Sequence, residues 1–300
     1  MRDGILLVDK PEGATSADVV RVIKRRHRVE SIGHLGTLDP MATGLLPLCL
    51  GAGTKIAQFL AAESKAYTGT IQLGLRTDTL DATGQVLERA EIPAFEDGAL
   101  KPVAAGLSGP QTQIPPMFSA VKVGGRELYK HAREGTVVER TPRTITIESF
   151  DLERVGADLL SFSVACSKGT YVRVLAEDVG RALGTVATLA SLRRTRFGPF
   201  GIEAATPLAV LEEPGAELPL IGVLPALQDV RRLAVDEPTA FAIAAGQRGG
   251  LRRLSPPDPE ETFAAVVAPD GNLLAVVARE GSSWSLRRVL MPEAVQLYRP

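Results

Sequence analysis

Short apolar runs of strand length recur along this 300-residue chain, and their spacing sets what it can fold into. Ile5 to Val8 reads as a short strand and Leu45 to Leu50 as an apolar run of strand length. Tyr67 to Leu73 and Leu160 to Cys166 instead alternate with a period of two, as half-buried strands do. Two helical patterns fall among them. Thr15-Ser16-Ala17-Asp18 resembles a capping box with Asp in its third position, and the helix it opens should run to about Arg28, with Val19, Val20 and Ile23 facing the core. After the Lys168-Gly169 turn, Thr170 is positioned to cap a second helix whose apolar face is Val172, Leu175, Val179 and Leu183, with Gly184 as its stop and Arg173 in its first turn. The fold class expected is α+β.

A chain this long reads more naturally as two domains than one. The stretch from Ile202 to Pro225 is rich in Ala, Pro and Glu and lacks strong periodicity, so it is expected to be a transition. Beyond Leu227, strands such as Phe263 to Val267 and Leu273 to Val277 lie between Pro/Asp/Gly turns and suggest a small β-rich module. The division expected is 1–221 and 222–300. The first apolar run stops at Asp9-Lys10-Pro11, too short for a signal-peptide core or a membrane span, and a cytoplasmic protein with no membrane partner is expected.

The net charge is −1, which hides an uneven distribution. Arg21, Lys24, Arg25 and Arg28 recur at helical spacing on the first helix, while Glu203, Glu212, Glu213, Glu217, Asp229, Asp236 and Glu237 make the later region acidic. A basic front half can still hold phosphates. Cys49 and Cys166 stand far apart in apolar or alternating segments, and His27, His34 and His131 lack ligand spacing. Small core cysteines, no disulfide framework and no metal are expected.

The least generic stretch is Gly33-His34-Leu35-Gly36-Thr37-Leu38-Asp39-Pro40-Met41-Ala42-Thr43-Gly44. Pro40 biases Asp39 toward an extended backbone and the glycines permit a tight loop on either side, so one carboxylate is held where a substrate backbone can approach. On residues alone, ordinary Asp-Pro turn chemistry stays open beside a catalytic acid. Gly51-Ala52-Gly53-Thr54-Lys55 invites a phosphate-loop reading, but Ile56 stands where that motif needs Ser or Thr.

The loop resembles the nucleophile-bearing motif of the bacterial TruB-type tRNA pseudouridine-55 synthases. Asp9-Lys10-Pro11-Glu12-Gly13 resembles that family's opening motif, Lys65-Ala66-Tyr67 with Arg76-Thr77-Asp78-Thr79 its tyrosine motif, and Ser167 to Arg173 its third. Order and spacing agree from Ile5 to Phe197. The tail from about Leu227 to Val289 more weakly resembles a PUA-type RNA-binding module.

The resemblance implies a mixed, largely antiparallel sheet with flanking helices, an RNA-binding insertion at about 114–143, and isomerisation of uridine 55 in the TΨC loop of tRNA after the base is flipped from its stack. Asp39 falls on the nucleophile, Tyr67 on a tyrosine that stacks on the target base, and Arg173 on an arginine that pairs with the aspartate. His34, Tyr171, Leu192 and Lys10 fall on substrate-binding positions, Lys10 as a support for the loop. Arg21, Lys24 and Arg25 on the first helix and Lys122, Arg126 and Lys130 in the insertion are expected on RNA phosphates. Between Ile114 and Arg143, six basic residues face three glutamates, and Gly124-Gly125 suggests a mobile flap that RNA would order. A monomer needing no cofactor and no obligatory protein partner is expected. A noncatalytic tRNA-binding protein, or a synthase directed by a guide RNA and partner proteins, are the alternatives.

Overall fold

The structure is a computed structural model that describes residues 3–60 and 64–298; the outermost residues of both expected domains therefore lie outside it. Its main sheet is built on seven longer strands: β1 (Gly4–Lys10), β2 (Thr43–Leu50), β3 (Lys65–Leu73), β4 (Gly109–Gln113), β5 (Arg143–Arg154), β6 (Leu159–Cys166) and β7 (Ala187–Phe197). Their order is β1-β2-β7-β3-β6-β5-β4. Neighbours run antiparallel except β2 and β7, which meet in parallel at Arg193↔Thr43 and Arg194↔Gly44. Gly44 makes that meeting possible: its φ is +97°, and a Cβ there would strike the Arg194 backbone.

The helices that matter for the site are α1 (Ser16–His27), α2 (Gly53–Leu60), α3 (Leu128–Arg133) and α4 (Val172–Ala182). The expected capping box forms. Thr15 Oγ1 accepts from Asp18 N at 3.0 Å while the Thr15 backbone N donates to Asp18 Oδ2 at 3.0 Å, and Arg28 closes the helix in the left-handed region. In α4 the stop is as expected, with Gly184 at φ +75° and Thr185 N returning to Gly180 O. The start is not. Thr170 spends its hydroxyl on Ser167 O at 2.9 Å, and Tyr171 is the N-cap without any side-chain cap, because Gln113 clamps the Tyr171 backbone N and O at 2.7 and 3.1 Å.

The two kinds of strand pattern differ in how many cores they enter: β3 and β6 enter one, β1 and β2 enter two. In β1 and β2, Leu6, Val8, Leu46, Leu48 and Leu50 pack beneath α1 and α4. The alternate residues Ile5, Leu7, Leu45 and Cys49 enter a second core on the opposite face, with Ile56 and Phe59 of α2. That second core also takes Ala265, Leu273 and Val276 from another sheet, formed in order by β8 (Arg231–Ala234), β9 (Phe263–Val267), β10 (Leu273–Glu280) and β11 (Ser283–Val289). The Phe59 and Phe263 rings meet edge to face at 5.0 Å across it. The expected β-rich tail is thus present, and its sheet shares a core with the first.

The stretch 202–225, expected as a transition between domains, is tied to the main sheet, where Thr206–Pro207 and Leu220–Ile221 both pair with β1. The segment expected as a flap contains a short hairpin and a helix. Lys122–Val123 and Arg126–Glu127 form a hairpin turned by Gly124 and Gly125, both at positive φ, and α3 follows with Leu128 fully buried. A two-residue glycine turn with one apolar anchor makes such a hairpin without any long apolar pattern.

Both cysteines are buried and unpaired. No helix among the described residues is long and apolar enough to cross a membrane.

Candidate active site

The loop carrying Asp39 is fixed from both sides before the carboxylate does anything. Leu38 N donates to Ser16 Oγ at 2.9 Å, and that hydroxyl donates back to Leu38 O at 3.1 Å. Pro40 O accepts from Gly13 N at 2.8 Å. Lys10, at the end of β1 and with 0% exposure, reaches Pro11 O at 2.9 Å, Ala14 O at 2.6 Å and Pro40 O at 3.3 Å through Nζ. Burial pushes its ammonium pKa down to about 8, although the Asp39 charge opposes the shift. Leu38, Met41 and Ala42 then anchor the loop in the core. Asp39 is left projecting between two immobilised peptides.

Opposite it stands Arg173, in the first turn of α4 and only 5% exposed. Its Nη2 lies 3.1 Å from Asp39 Oδ2 and donates to Phe118 O at 2.8 Å. Nη1 donates to Thr79 O at 2.9 Å and lies 3.5 Å from Asp81 Oδ2. The fork geometry of guanidinium lets one side chain serve all four partners, which lysine cannot do. Asp81, itself buried, is oriented by Thr79 Oγ1 at 2.8 Å, Thr83 Oγ1 at 2.6 Å and Thr83 N at 3.1 Å. Burial raises the Asp39 carboxyl above its ordinary value; Arg173 pulls it back and Asp81 pushes it up again. The Asp39 side chain keeps 38% of its surface open, so water and substrate can reach it.

Tyr67 lies on β3 directly across the ladder from Arg194 of β7, which puts the two side chains on one face of the sheet. Burial pushes the Tyr67 phenol pKa up, and the Arg194 guanidinium, hydrogen-bonded to it, opposes that shift. Arg194 is wholly buried: Nε donates to Leu45 O at 2.7 Å, Nη2 to Gly36 O at 3.1 Å, and its guanidinium sits 5.3 Å from the Phe197 ring centroid. Reading the sequence alone missed both Arg194 and Asp81. The period of two starting at Leu192 points to Arg194; for Asp81, inside a turn, no local pattern does.

Asp39, Tyr67, Tyr171, Arg173 and Leu192 converge on one cavity of about 320 Å³, within the range of ligand pockets. Lys65, Ser119 and Arg194 also line it. Larger surface grooves exist, such as one of about 580 Å³ between Gln228 and Phe263, but there the cation, Arg231, is half-buried and spent on Asp258 and Glu261. Lys10 does not line the Asp39 cavity: its Nζ is consumed by three carbonyls behind the loop. His34 sits outside it too, half-buried on Ile32–His34, with Nδ1 enclosed and lacking a hydrogen-bond partner. Among the described residues, no cluster of His, Cys, Asp and Glu is arranged to hold a metal ion.

The basic residues expected on phosphates lie outside the cavity and fall into two groups. Lys24 and Arg25 are exposed on α1, and Arg21 beside them pairs with Asp18 at 2.6 Å. In the insertion, Lys122 and Lys130 both pair with Glu127, at 3.7 and 2.8 Å, and Arg126 pairs with Glu134.

Residues 24–172 match the N-terminal domain of the TruB family pseudouridylate synthases, and residues 173–215 match the tRNA pseudouridylate synthase B C-terminal domain. The tRNA pseudouridine synthase B of Burkholderia pseudomallei is 42% identical over 299 residues, covering 97% of this chain and 96% of that protein. That of Psychrobacter cryohalolentis is 49% identical over 214 residues, 70% of this chain, but the match spans only 60% of the relative's length. A chain in the crystal structure of a Cbf5-Nop10-Gar1 complex superimposes with a TM-score of 0.74 at 26% identity, covering 98% of this chain and 86% of that one. With a full-length relative at this identity, the chain belongs to the TruB family of pseudouridylate synthases.

Proposed function

We propose that this protein isomerises uridine 55 in the TΨC loop of tRNA to pseudouridine, with Asp39 as the nucleophile. The observation that carries the reading is the carboxylate of Asp39, held 3.1 Å from a buried guanidinium at a cavity that also presents a tyrosine. An ionised carboxylate can form a covalent intermediate, so that the glycosidic C1′–N1 bond breaks in one stage and the C1′–C5 bond forms in another, with the uracil retained and turned between them. The C5 proton is lost at the end and N1 regains one, so the reaction balances without oxidant, reductant or cofactor. Arg173 keeps Asp39 ionised against the cost of burial. Tyr67 offers a flat apolar face for the base, Tyr171 and Leu192 bound the remaining walls, and Lys10 holds the loop. A stacked base cannot reach this cavity inside an RNA loop, so the nucleotide is flipped out to enter it.

The protein acts as a monomer in the cytoplasm, with tRNA as its partner and no obligatory protein partner. Residues 1–221 form the catalytic domain, with an RNA-binding insertion at about 114–143, and 222–300 form a PUA-like domain that adds RNA affinity; the separate four-stranded sheet supports that division. Arg21, Lys24, Arg25, Lys122, Arg126 and Lys130 meet backbone phosphates, and His34 packs against the extruded loop nucleotides. The test is tritium release from an unmodified tRNA transcript labelled at uridine C5, using the purified chain alone. Release by wild type and none by Asp39→Asn, with transcript binding retained, is expected. Equal release by both would remove Asp39 from the chemistry.

A further inference from the structure

Ser119 stands at the root of the insertion and lines the cavity that holds Asp39. It is 5% exposed, and its hydroxyl is enclosed without a hydrogen-bond partner. Its backbone, by contrast, is fully used: the N donates to Met117 O at 3.0 Å and the O accepts from Tyr129 N of α3 at 3.1 Å. The preceding residue is held as well, because Phe118 O takes Nη2 of Arg173, the same nitrogen that faces Asp39. The Ser119 backbone is therefore locked one residue from the group that orients the nucleophile, while its side chain is held by nothing polar.

Buried hydroxyls are nearly always paired, and one left unpaired is costly. A serine hydroxyl can swing among three staggered positions about χ1, so a change of rotamer, with the backbone held, can present it to a ligand in the cavity. Other buried polar side chains around this site have partners within the protein: Arg173, Arg194, Asp81, Thr77 and Gln113 all do.

We infer that the Ser119 hydroxyl is a specificity contact that hydrogen-bonds the flipped nucleotide itself, through its ribose 2′-hydroxyl or a carbonyl edge of its uracil. The inference rests on the activity proposed above and adds to it a polar group that reads the substrate. A site built to hydrogen-bond a polar edge discriminates against a nucleotide lacking it, because the site's own group is then left unpaired.

The test compares wild type with Ser119→Ala on synthetic TΨC stem-loops carrying uridine, 2′-deoxyuridine, 2-thiouridine or 4-thiouridine at the target position. On uridine the variant should lose roughly three- to tenfold in kcat/KM, the worth of one neutral hydrogen bond. On one analogue, the one that lacks the contacted group, the two proteins should be equally efficient, and which analogue it is separates ribose from base. Ser119→Cys, similar in shape and a poorer hydrogen-bonding group, should fall between them. Equal kcat/KM on uridine would overturn the contact, and so would a loss of the same size on all four RNAs, the mark of a structural role. A wild type inactive on every RNA would overturn the underlying activity instead, and the contact with it.

Discussion

Two sets of cations in this molecule use the same residue types to opposite ends. Around Asp39 two cations are buried: Arg173 and Arg194 have at most 5% of their surface open and are bound to carbonyls, a phenol or carboxylates. On α1 and the insertion they are exposed, either unpaired among the described residues, like Lys24 and Arg25, or paired with glutamates at the surface, like Lys122 and Lys130. Buried charges interact strongly and are little screened by salt; exposed ones exchange partners readily and weaken as salt rises. Changes in the first set should therefore move turnover, and changes in the second should move RNA affinity and its salt dependence.

The largest effect should come from Arg173→Lys, which keeps the charge but loses the fork that serves Asp39, Asp81, Thr79 and Phe118 together. Turnover should fall about 100-fold, near 3 kcal/mol, with a much smaller change in tRNA Kd. Equal losses in both would move Arg173 to the RNA-binding set. A pH profile sharpens the point. Reaction requires ionised Asp39, so the rate should fall as pH drops through a carboxyl pKa that lies above the ordinary range. Removing the stabilising charge in Arg173→Gln should shift that acid limb to higher pH; a limb that stays in place would mean the pair is not coupled.

Next in size is Lys10→Met. Pro11 O and Ala14 O lose the Nζ donor, and Pro40 O keeps only Gly13 N, so stability should drop by about 1–3 kcal/mol in denaturant titrations. The pH dependence carries its own sign. Lys10 titrates near 8 in the folded protein and near 10.5 unfolded, so between those values the unfolded chain holds more protons and stability rises with pH. The variant should lack that rise, and an identical rise in both proteins would show that Lys10 is not its source.

The smallest effects are on salt slopes. Lys24→Ala with Arg25→Ala should flatten the dependence of log Kd on log salt by up to about two phosphate contacts. Lys122→Ala with Arg126→Ala should flatten it less, because those charges are already committed to Glu127 and Glu134. The reverse ranking would show that RNA strips the insertion of its internal pairs.

How much of this was legible in the residues depends on the range of the forces involved. Local signals held: the Thr15 to Asp18 box, the alternation of β3 and β6, and the Gly184 stop are decided within one turn or one strand. The apolar runs of β1 and β2 were legible as strands, but not that both faces would be covered or that the second cover would be another sheet, which is a long-range choice. Thr170 was legible as a cap only until Gln113, fifty-eight positions away, took the Tyr171 peptide instead. Asp39, Arg173 and Tyr67 were reached through a motif resemblance, since nothing within the Gly33–Gly44 loop distinguishes a catalytic acid from a turn. Arg194 and Asp81 escaped notice because their roles come from cross-strand register and from a turn folded under α4, which only the assembled sheet creates.

The most direct test of the account is to incubate the purified chain, without other proteins, with an unmodified tRNA transcript and map pseudouridine at single-nucleotide resolution. Pseudouridine is expected at uridine 55 and at no other position. No pseudouridine at 55, or pseudouridine only at another site, would contradict it.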